Sequence, residues 1–247
     1  MVNSKKINKG IILAGGHGTR LRPLTSIISK QLLPIYDKPM IYYPLQTLIN
    51  AGINDILIIT TDRDQKDFIN LLGNGEEFDV TISYKTQEQP EGIAHALIIS
   101  EDWIKDERVT LILGDNLFFG PSLNDKIIKN INNSGATIFC IESNEPERFG
   151  VIKHDKNHNI QSITEKPNKP ESNWIVTGLY IYDENAVSYA KTLKKSERGE
   201  FEITDLNSIY LDKNKLKAEF LDDSYSWLDT GTFDTLLEAN NFVKNLN

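Results

Sequence analysis

Short apolar runs alternate with helical repeats of apolar residues over the first 145 positions. Apolar runs that end in glycine or polar residues are typical of buried parallel strands. The predicted strands cover residues 9–14, 56–60, 80–84, 109–113 and 136–141. The predicted helices cover residues 41–49, 68–72, 93–100 and 123–131. This alternation predicts an α/β fold with a Rossmann-like, mostly parallel central sheet flanked by helices.

The pattern changes after about residue 145. Strand-like runs at 151–153, 160–165 and 176–182 are separated by turn residues, and helical spacing returns only later. Those later helices are predicted at 186–193, 203–211 and 236–246. Since no repeat or low-complexity linker interrupts the chain, we predict one domain over residues 1–247. The change of pattern divides this domain into a first half, about 1–145, and a second half, about 146–247.

Charge and composition limit the classes of partner. With 27 basic and 35 acidic residues the formal net charge is −8, so no broad basic face is available for nucleic acid. No apolar run is long enough to span a bilayer, and residues 1–9 lack the apolar core of a signal peptide. The single cysteine, Cys140, is predicted to be a core residue in a reducing compartment. We therefore expect a cytoplasmic protein that binds small anions and contacts neither nucleic acid nor membrane.

A glycine-rich loop follows the first predicted strand. It reads Gly15-Gly-His-Gly-Thr-Arg20, and it lies beyond the carboxyl end of a strand, where open α/β sheets bind ligands. Glycines let backbone N–H groups approach phosphate oxygens, and the guanidinium of Arg20 suits the same oxygens. The loop lacks the third glycine of the dinucleotide fingerprint and the Gly-Lys-Ser/Thr of a Walker loop. A nicotinamide enzyme and a P-loop ATPase are both disfavoured.

Three further side chains suit phosphate chemistry. Lys30 lies in a loop close after the glycines and would stabilise charge that develops on a departing pyrophosphate. Asp115 follows an apolar strand, so it is either a turn residue or a Mg²⁺ ligand. Asp229 is either a second metal ligand or the N-terminal cap of the last helix. Thr230 or Thr232 would serve equally well as that cap.

Taken together, the motifs resemble one family. The stretch 9–25 is similar to the signature loop of the sugar nucleotidylyltransferases, and residues 29–43 resemble more specifically the thymidylyltransferases for glucose 1-phosphate. Further matching motifs lie at 146–151, 165–167, 176–180, 198–205 and 227–231. The resemblance spans nearly the whole chain in order. It implies the nucleotide-diphospho-sugar transferase type of α/β fold.

The resemblance also implies that the half at about 1–145 binds the nucleotide and the half at about 146–247 binds the sugar phosphate. It further implies a set of site residues. For the nucleotide these are Leu13, Gly15, Gly16, Gly18, Thr19, Arg20, Lys30, Gln31, Gln87, Gly92 and Asp115. For the sugar phosphate they are Asn116, Gly150, Glu165, Lys166, Val176 and Tyr180. Asp115 and Asp229 would bind Mg²⁺, and the residues implied in catalysis are Arg20, Lys30 and Asp115. Two histidines depart from the family pattern: His17 is predicted to face solvent, and His95 to line the nucleotide cleft.

The implied reaction joins dTTP and α-D-glucose 1-phosphate into dTDP-glucose and releases pyrophosphate. We expect a Mg²⁺-dependent, direct in-line attack without a covalent enzyme intermediate. The product would supply dTDP-deoxysugars such as dTDP-rhamnose for surface polysaccharide. A homo-oligomer, either a dimer or a tetramer, is also expected. Longer members carry a helical C-terminal segment that contributes to a regulatory nucleotide site, and this sequence predicts the short form without it.

Three alternatives remain at the level of sequence. One alternative is a sibling enzyme that uses UTP or another triphosphate. Thymine differs from uracil by one methyl group, and such a difference supports only about 1–3 kcal/mol of discrimination. A metal-dependent glycosyltransferase would need a close Asp-x-Asp motif, whereas Asp115 is followed by Asn116 and Leu117. A sugar-nucleotide sensor without catalysis is disfavoured, since every polar position required for the reaction is present. Which deoxysugar pathway uses the product also stays open.

Overall fold

Strands and helices alternate along residues 9–246, the part of the chain that the computed structural model describes. The strands are β1 (Lys9–Ala14), β2 (Pro34–Ile35), β3 (Lys38–Pro39), β4 (Asp55–Thr60), β5 (Thr81–Thr86), β6 (Val109–Leu113), β7 (Asn116–Phe119), β8 (Ala136–Glu142), β9 (Gly150–His154), β10 (Ile160–Glu165), β11 (Trp174–Tyr182), β12 (Leu216–Phe220) and β13 (Ser226–Asp229). The helices are α1 (Tyr42–Asn50), α2 (Gln65–Leu72), α3 (His95–Ile99), α4 (Glu101–Ile104), α5 (Leu123–Ile131), α6 (Ala186–Ala190), α7 (Ile203–Asp212) and α8 (Phe233–Leu246). The prediction about a leader concerns residues 1–9, of which 1–8 lie outside the described range.

The central sheet contains nine of the described strands. Along its main path the order is β10-β9-β11-β6-β1-β4-β5, and β8 pairs with both β11 and β12. The contacts of β1 with β4 and β6, and of β4 with β5, are parallel, while β11 runs antiparallel to β6 and β8. The predicted α/β class with a mostly parallel sheet is confirmed. The antiparallel β11 separates β6 from β8, which the alternation in sequence did not indicate.

Two apolar cores lie on opposite faces of this sheet. Successive residues of a strand point to opposite faces, so Ile11 enters one core and Ile12 the other. Helices α3, α4, α6 and α7 cover the first core, and α1, α2 and α5 cover the second. Because both faces are covered, the strands read as continuous apolar runs rather than as alternating ones. Among residues 9–246, no helix combines the length and apolar character required to cross a membrane.

A small antiparallel ribbon outside the main sheet was missed by the sequence pattern. It consists of β7 and β13, with Asn116 paired to Asp229. Strand β12 was missed as well, and the predicted helices at 93–100 and 186–193 shrink to the five-residue α3 and α6. Short elements such as β13 carry too few residues for a period to be recognised. The ribbon nevertheless has the largest consequence for the site, because it pairs Asn116 with Asp229, which are far apart in sequence.

A buried polar cluster connects the sheet to α7. Asp183 accepts hydrogen bonds from the hydroxyl of Tyr210 at 2.7 Å, the N–H of Gly135 at 2.8 Å and the N–H of Asn185 at 3.0 Å. Burial acts to raise the pKa of Asp183, but these hydrogen bonds outweigh it and lower that pKa. The cluster therefore stabilises the fold only while Asp183 is ionised. This contribution is present above the unfolded pKa of about 3.9 and is lost as the pH falls through the lower folded value.

Replacing Tyr210 with phenylalanine should lower the free energy of unfolding at pH 7 by about 1.5–3 kcal/mol, since one hydrogen bond to a buried charge is removed. The pKa of Asp183 should rise in the variant, so its deficit should shrink below about pH 4. Denaturant unfolding at pH 7 and pH 3.5 measures both effects. Tyr189→Phe is the matched control, because no hydrogen bond to the Tyr189 hydroxyl is found in residues 9–246. An equal loss at both pH values would contradict the assignment.

Candidate active site

The glycine loop begins where β1 and β6 end side by side. The N–H of Gly114, just after β6, donates to the carbonyl of Leu13 at 2.9 Å. Gly18 has a left-handed backbone (φ 59°), and a Cβ atom there would lie 2.9 Å from Cγ2 of Thr25. Gly16, His17 and Thr19 are exposed. The loop is therefore held tightly at its end and open to a ligand at its middle.

Lys30 and Asp115 form an ion pair at the base of this loop. The Lys30 ammonium donates to the Asp115 carboxylate, and the two side chains are only 10% and 16% exposed. Asn116 donates to the other carboxylate oxygen at 3.1 Å. Burial acts to raise the pKa of Asp115, but the charge and hydrogen bond of Lys30 outweigh it and lower that pKa. Asp115 is thus an ionised carboxylate at neutral pH.

Asp229 reaches the same place through the β7–β13 ribbon. Its register with Asn116 sets the two aspartates on neighbouring backbone positions, and Thr230 Oγ1 ties the strands by donating to the Asp115 carbonyl at 2.9 Å. Within residues 9–246 no hydrogen bond to the Asp229 carboxylate is found, and Arg148 lies 3.8 Å away. Burial raises the pKa of Asp229, and the charge of Asp115 raises it further. The nearby cations Lys30, Arg20 and Arg148 act against this increase.

Asp229 does not cap α8. Thr232 does, because its hydroxyl accepts from the N–H of Thr235 at 3.3 Å while Thr235 Oγ1 accepts from the N–H of Thr232 at 3.0 Å. The alternative reading of Asp229 as a helix cap is therefore wrong. Its carboxylate stays available for a cation.

These two carboxylates fit a magnesium ion. Both are mostly buried and close enough to perturb each other, and among residues 9–246 no hydrogen-bond donor to the Asp229 carboxylate is found. Mg²⁺ typically uses one or two carboxylates together with substrate phosphates. In residues 9–246 no group of three or more His, Cys, Asp or Glu side chains is arranged to hold a metal. A site that needs phosphate oxygens to complete its shell agrees with both observations.

A cavity of about 260 Å³ extends from these carboxylates towards the second half of the chain. Nine predicted site residues lie in its wall, namely Arg20, Asp115, Asn116, Gly150, Glu165, Lys166, Val176, Tyr180 and Asp229. Phosphate-type cations and metal-type carboxylates share this wall with Glu165 and Lys166. The structure thus brings the predicted sugar-phosphate residues and the predicted metal ligands to one space. Their individual roles remain predictions.

Glu165 is the centre of a polar network in the wall of this cavity. Thr204 donates to Oε2 of Glu165 at 2.5 Å, and Arg198 Nη2 donates to Oε1 at 3.2 Å. Lys166 Nζ lies 3.5 Å from the same Oε1. Lys166 has a positive φ of 41°, which is uncommon for a residue with a side chain. Both cations are therefore gathered beside one carboxylate.

The remaining predicted nucleotide residues form the rim beside the glycine loop. Gln87 is 4% exposed and donates to the Gly92 carbonyl at 3.3 Å, and its Nε2 lies 3.0 Å from His95. A Cβ at Gly15 would lie 3.0 Å from Oε1 of Gln87. Gly92 (φ 99°) packs against the backbone of Phe201, and a Cβ there would lie 2.5 Å from that carbonyl. Any side chain at Gly92 would force this contact apart.

Gln31 is one of the buried residues among those predicted to bind the nucleotide. It is 3% exposed, and its amide oxygen accepts from Ser29 at 2.8 Å. A Cβ at Gly114 would lie 3.0 Å from Cγ of Gln31. Gln31 therefore lies under the ends of β1 and β6.

Sequence reasoning assigned no role to several residues of the cavity wall. These are Arg148, Arg198, Glu202, Thr204 and Trp227. Trp227 donates to Oδ1 of Asn116 at 2.7 Å and so fixes the residue next to Asp115. All five lie in or beside motifs that carry the family resemblance, which was the signal available. The contacts of each side chain could not be derived from the motif alone.

A larger cleft of about 570 Å³ lies between α5, β12 and the end of α7. Half of its lining residues are asparagine or lysine, and its one carboxylate, Glu219, is paired with Lys126. None of the predicted site residues contributes to it. Size alone therefore does not identify the reactive site, and the smaller cavity with converging charges is the better candidate.

Gly231 controls the position of Arg20. A Cβ at Gly231 would lie 2.9 Å from Nη2 of Arg20 and 3.3 Å from Oδ2 of Asp229. Gly231→Ala should displace the guanidinium, because the end of a flexible side chain moves more easily than backbone. We expect kcat/KM for the triphosphate to fall about 10- to 100-fold, with little change in stability. The same substitution in an Arg20→Ala background is the control, and a further loss of activity there would refute the explanation.

Comparisons with known proteins agree with the family resemblance of the sequence motifs. The sequence matches the family described as nucleotidyl transferase over residues 9–245. The chain is 52% identical over 237 residues to a glucose-1-phosphate thymidylyltransferase of Neisseria meningitidis, covering 96% of this chain and 82% of the relative. It is 50% identical over 238 residues to the enzyme of that name from Mycobacterium tuberculosis, covering 96% and 83%.

Solved structures share the architecture. A Bacillus anthracis protein, described as a candidate glucose-1-phosphate thymidylyltransferase in complex with a sucrose, has a TM-score of 0.89 at 41% identity and covers 97% of this chain and 96% of its own. A UDP-glucose pyrophosphorylase complexed with UDP-glucose has a TM-score of 0.85 at 25% identity, covering 98% and 100%.

Proposed function

The chain belongs to the nucleotidyl transferase family and, within it, to the glucose-1-phosphate thymidylyltransferases, and on this basis we propose its reaction and its site. The enzyme converts dTTP and α-D-glucose 1-phosphate into dTDP-glucose and pyrophosphate. One observation carries the site proposal. A single cavity is lined by Arg20, Asp115 and Asp229 together with Glu165 and Lys166.

The nucleophile needs no general base, because the phosphate oxygen of the sugar is already an anion. The main obstacle is repulsion between two anions that must approach in line. Arg20 and Lys30 would neutralise the triphosphate, while Lys166 and Arg198 would hold the sugar phosphate against it. We propose a direct displacement at the α-phosphorus without a covalent enzyme intermediate. The buried thiol of Cys140, whose pKa is raised by burial, lies in a core and takes no part.

Asp115 and Asp229 would hold Mg²⁺, which supplies positive charge between the two reacting phosphates when it is bound. The carboxylates themselves would be kept in place by different contacts. Asn116 orients Asp115 and is itself fixed by Trp227 and by the N–H of Gly178, which donates at 3.0 Å. This support makes the position of Asp115 independent of the ligand.

The other residues would supply binding and orientation. Leu13, Gly15, Gly16, Gly18 and Thr19 would surround the triphosphate, and Gln31, Gln87 and Gly92 would contact the base. Asn116, Gly150, Val176 and Tyr180 would shape the sugar pocket. Glu165 would accept hydrogen bonds from the sugar hydroxyls. The support for these assignments is their grouping around one cavity and its rim.

Product analysis tests the proposal. The protein is incubated with Mg²⁺, equal concentrations of dTTP, UTP, CTP, ATP and GTP, and several hexose 1-phosphates, and the nucleotide sugar is identified by mass. We expect dTDP-glucose as the main product, with some UDP-glucose because the two bases differ by one methyl group. Another main product would change the substrate assignment, and absence of any nucleotide sugar would refute the enzyme. Omitting the metal and adding chelator in parallel measures the Mg²⁺ requirement.

We further propose one domain in which the two halves depend on each other. Strand β11 of the second half lies between β6 and β8 of the first, so neither half has a complete sheet alone. We propose a homo-oligomer, a dimer or tetramer, since α8 exposes Phe233 and Leu237 by 47% and 61%. The buried, unpaired Cys140 supports a cytoplasmic location. Light scattering of the purified protein measures its oligomeric state.

A further inference from the structure

Arg198 lies among three carboxylates: Glu202 and Glu165 accept its hydrogen bonds, and Glu200 Oε2 lies 3.7 Å from its Nη2. It binds Glu202 in a two-pronged contact, with Nη2 to Oε2 at 2.7 Å and Nε to Oε1 at 3.2 Å. The same Nη2 also donates to Oε1 of Glu165 at 3.2 Å. For Nη1 of Arg198, no hydrogen-bond partner is found in residues 9–246. The fork on Glu202 is the stronger contact, because it uses two parallel hydrogen bonds.

Glu202 is itself a rigid support. It is 8% exposed, whereas the Arg198 side chain is 41% exposed. Ser196 donates to its Oε1 at 2.6 Å, and its backbone provides the first residue before α7. Thr204, in the first turn of the same helix, donates to Glu165. The start of α7 therefore sets the positions of both Arg198 and Glu165.

Glu202 is surprising in a pocket that should bind an anion. It adds negative charge beside Glu165, and burial together with both of these charges raises the pKa of Asp205. Without Glu202, both edges of the Arg198 guanidinium would be free to close on Glu165. The resulting pair would occupy the carboxylate needed for sugar hydroxyls and the cation needed for phosphate.

We infer that Glu202 is a positioning residue that keeps Arg198 from closing onto Glu165, so that Arg198 stays directed to the phosphate of the sugar substrate. This inference rests on the proposed function and deepens it. Glu202 does not contact the reacting atoms in this arrangement and acts only through Arg198. Its removal should therefore weaken binding of the sugar phosphate while binding of the triphosphate is retained.

Steady-state kinetics of Glu202→Gln tests the inference. We expect KM for glucose 1-phosphate to rise about 10- to 100-fold, with KM for dTTP within about threefold of the parent enzyme. Glu197→Gln is the matched control, because it makes the same charge change on an exposed residue of the same segment. Equal rises in both KM values, or no rise for glucose 1-phosphate, would overturn the inference. Ser196→Ala should show a smaller shift in the same direction, and it keeps the test valid if Glu202→Gln does not fold.

A double-mutant cycle separates positioning from a direct role. In an Arg198→Met background, Glu202→Gln should change KM for glucose 1-phosphate by less than about twofold, because the arginine through which Glu202 acts is absent. Additive effects would show that Glu202 acts by another route and would overturn the inference. The parent enzyme is assayed first for dTDP-glucose formation. Failure of that reaction contradicts the proposed function, whereas an active parent with a normal Glu202→Gln variant contradicts only the inference.

Discussion

Replacing Asp115 with asparagine is expected to lower kcat/KM for dTDP-glucose formation by about 10³-fold. The substitution keeps the shape of the side chain and removes one of the two carboxylate charges at the base of the glycine loop. With Asp229 as the sole remaining carboxylate, retention of Mg²⁺ should weaken, so the metal concentration for half-maximal rate should rise. Pyrophosphate release at increasing Mg²⁺ measures both quantities.

The fold should survive this change. Lys30 loses an ionised partner, but Asp229 is close enough to feel its charge, and the asparagine oxygen can still accept a hydrogen bond. The free energy of unfolding should therefore fall by only about 1–2 kcal/mol. Asp223→Asn is a suitable control, because Asp223 is exposed and lies outside the wall of the site cavity. If the activity of Asp115→Asn were within tenfold of the control, Asp115 would not be a ligand of the metal ion.

Replacing Lys30 with methionine should affect both stability and catalysis. It leaves two mostly buried carboxylates without the cation that contacts Asp115, which should cost about 3–5 kcal/mol of unfolding free energy at pH 7. The rate should also fall about 10²- to 10³-fold, because a positive charge beside the triphosphate is lost. Denaturant unfolding and initial rates measure these losses independently. A stable but inactive Lys30→Met protein would show that the ion pair matters only for catalysis.

The loss of stability should depend on pH in a defined direction. In the parent protein the pKa of Asp115 is lowered, so its pair with Lys30 is lost as the pH falls through that folded value. In the variant both carboxyls should have raised pKa values and take up protons on folding. The deficit of Lys30→Met should therefore shrink as the pH falls from 7 towards 4. Adding Asp229→Asn should also restore part of the stability at pH 7, and a deficit that grew at lower pH would contradict the charge explanation.

Much of the fold could be predicted from local pattern. β1, β6 and β10 have the predicted bounds, and α5 has the predicted apolar face, because period and length identify buried strands and amphipathic helices. The short strands β7, β12 and β13 were missed, since none of them has a continuous apolar run of four residues like that of β4. The sequence pattern also did not predict which strands pair with one another in the sheet. The position of β11 between β6 and β8 depends on which strand buries its apolar surface best, which is a property of the assembled sheet.

For the candidate site, the sequence determined the residue types and where each comes relative to a strand end. It identified the glycine loop, Lys30, Asp115 and Asp229, and it left the last of these open between a metal ligand and a helix cap. Only the tertiary structure excluded the helix cap, because the β7–β13 ribbon brings Asp229 beside Asp115 while Thr232 caps α8. The network of Arg198, Glu202 and Glu165 was likewise decided by folding. Hydrogen bonds and charge coupling depend on distances of a few ångströms between residues far apart in sequence, and no local pattern encodes those distances.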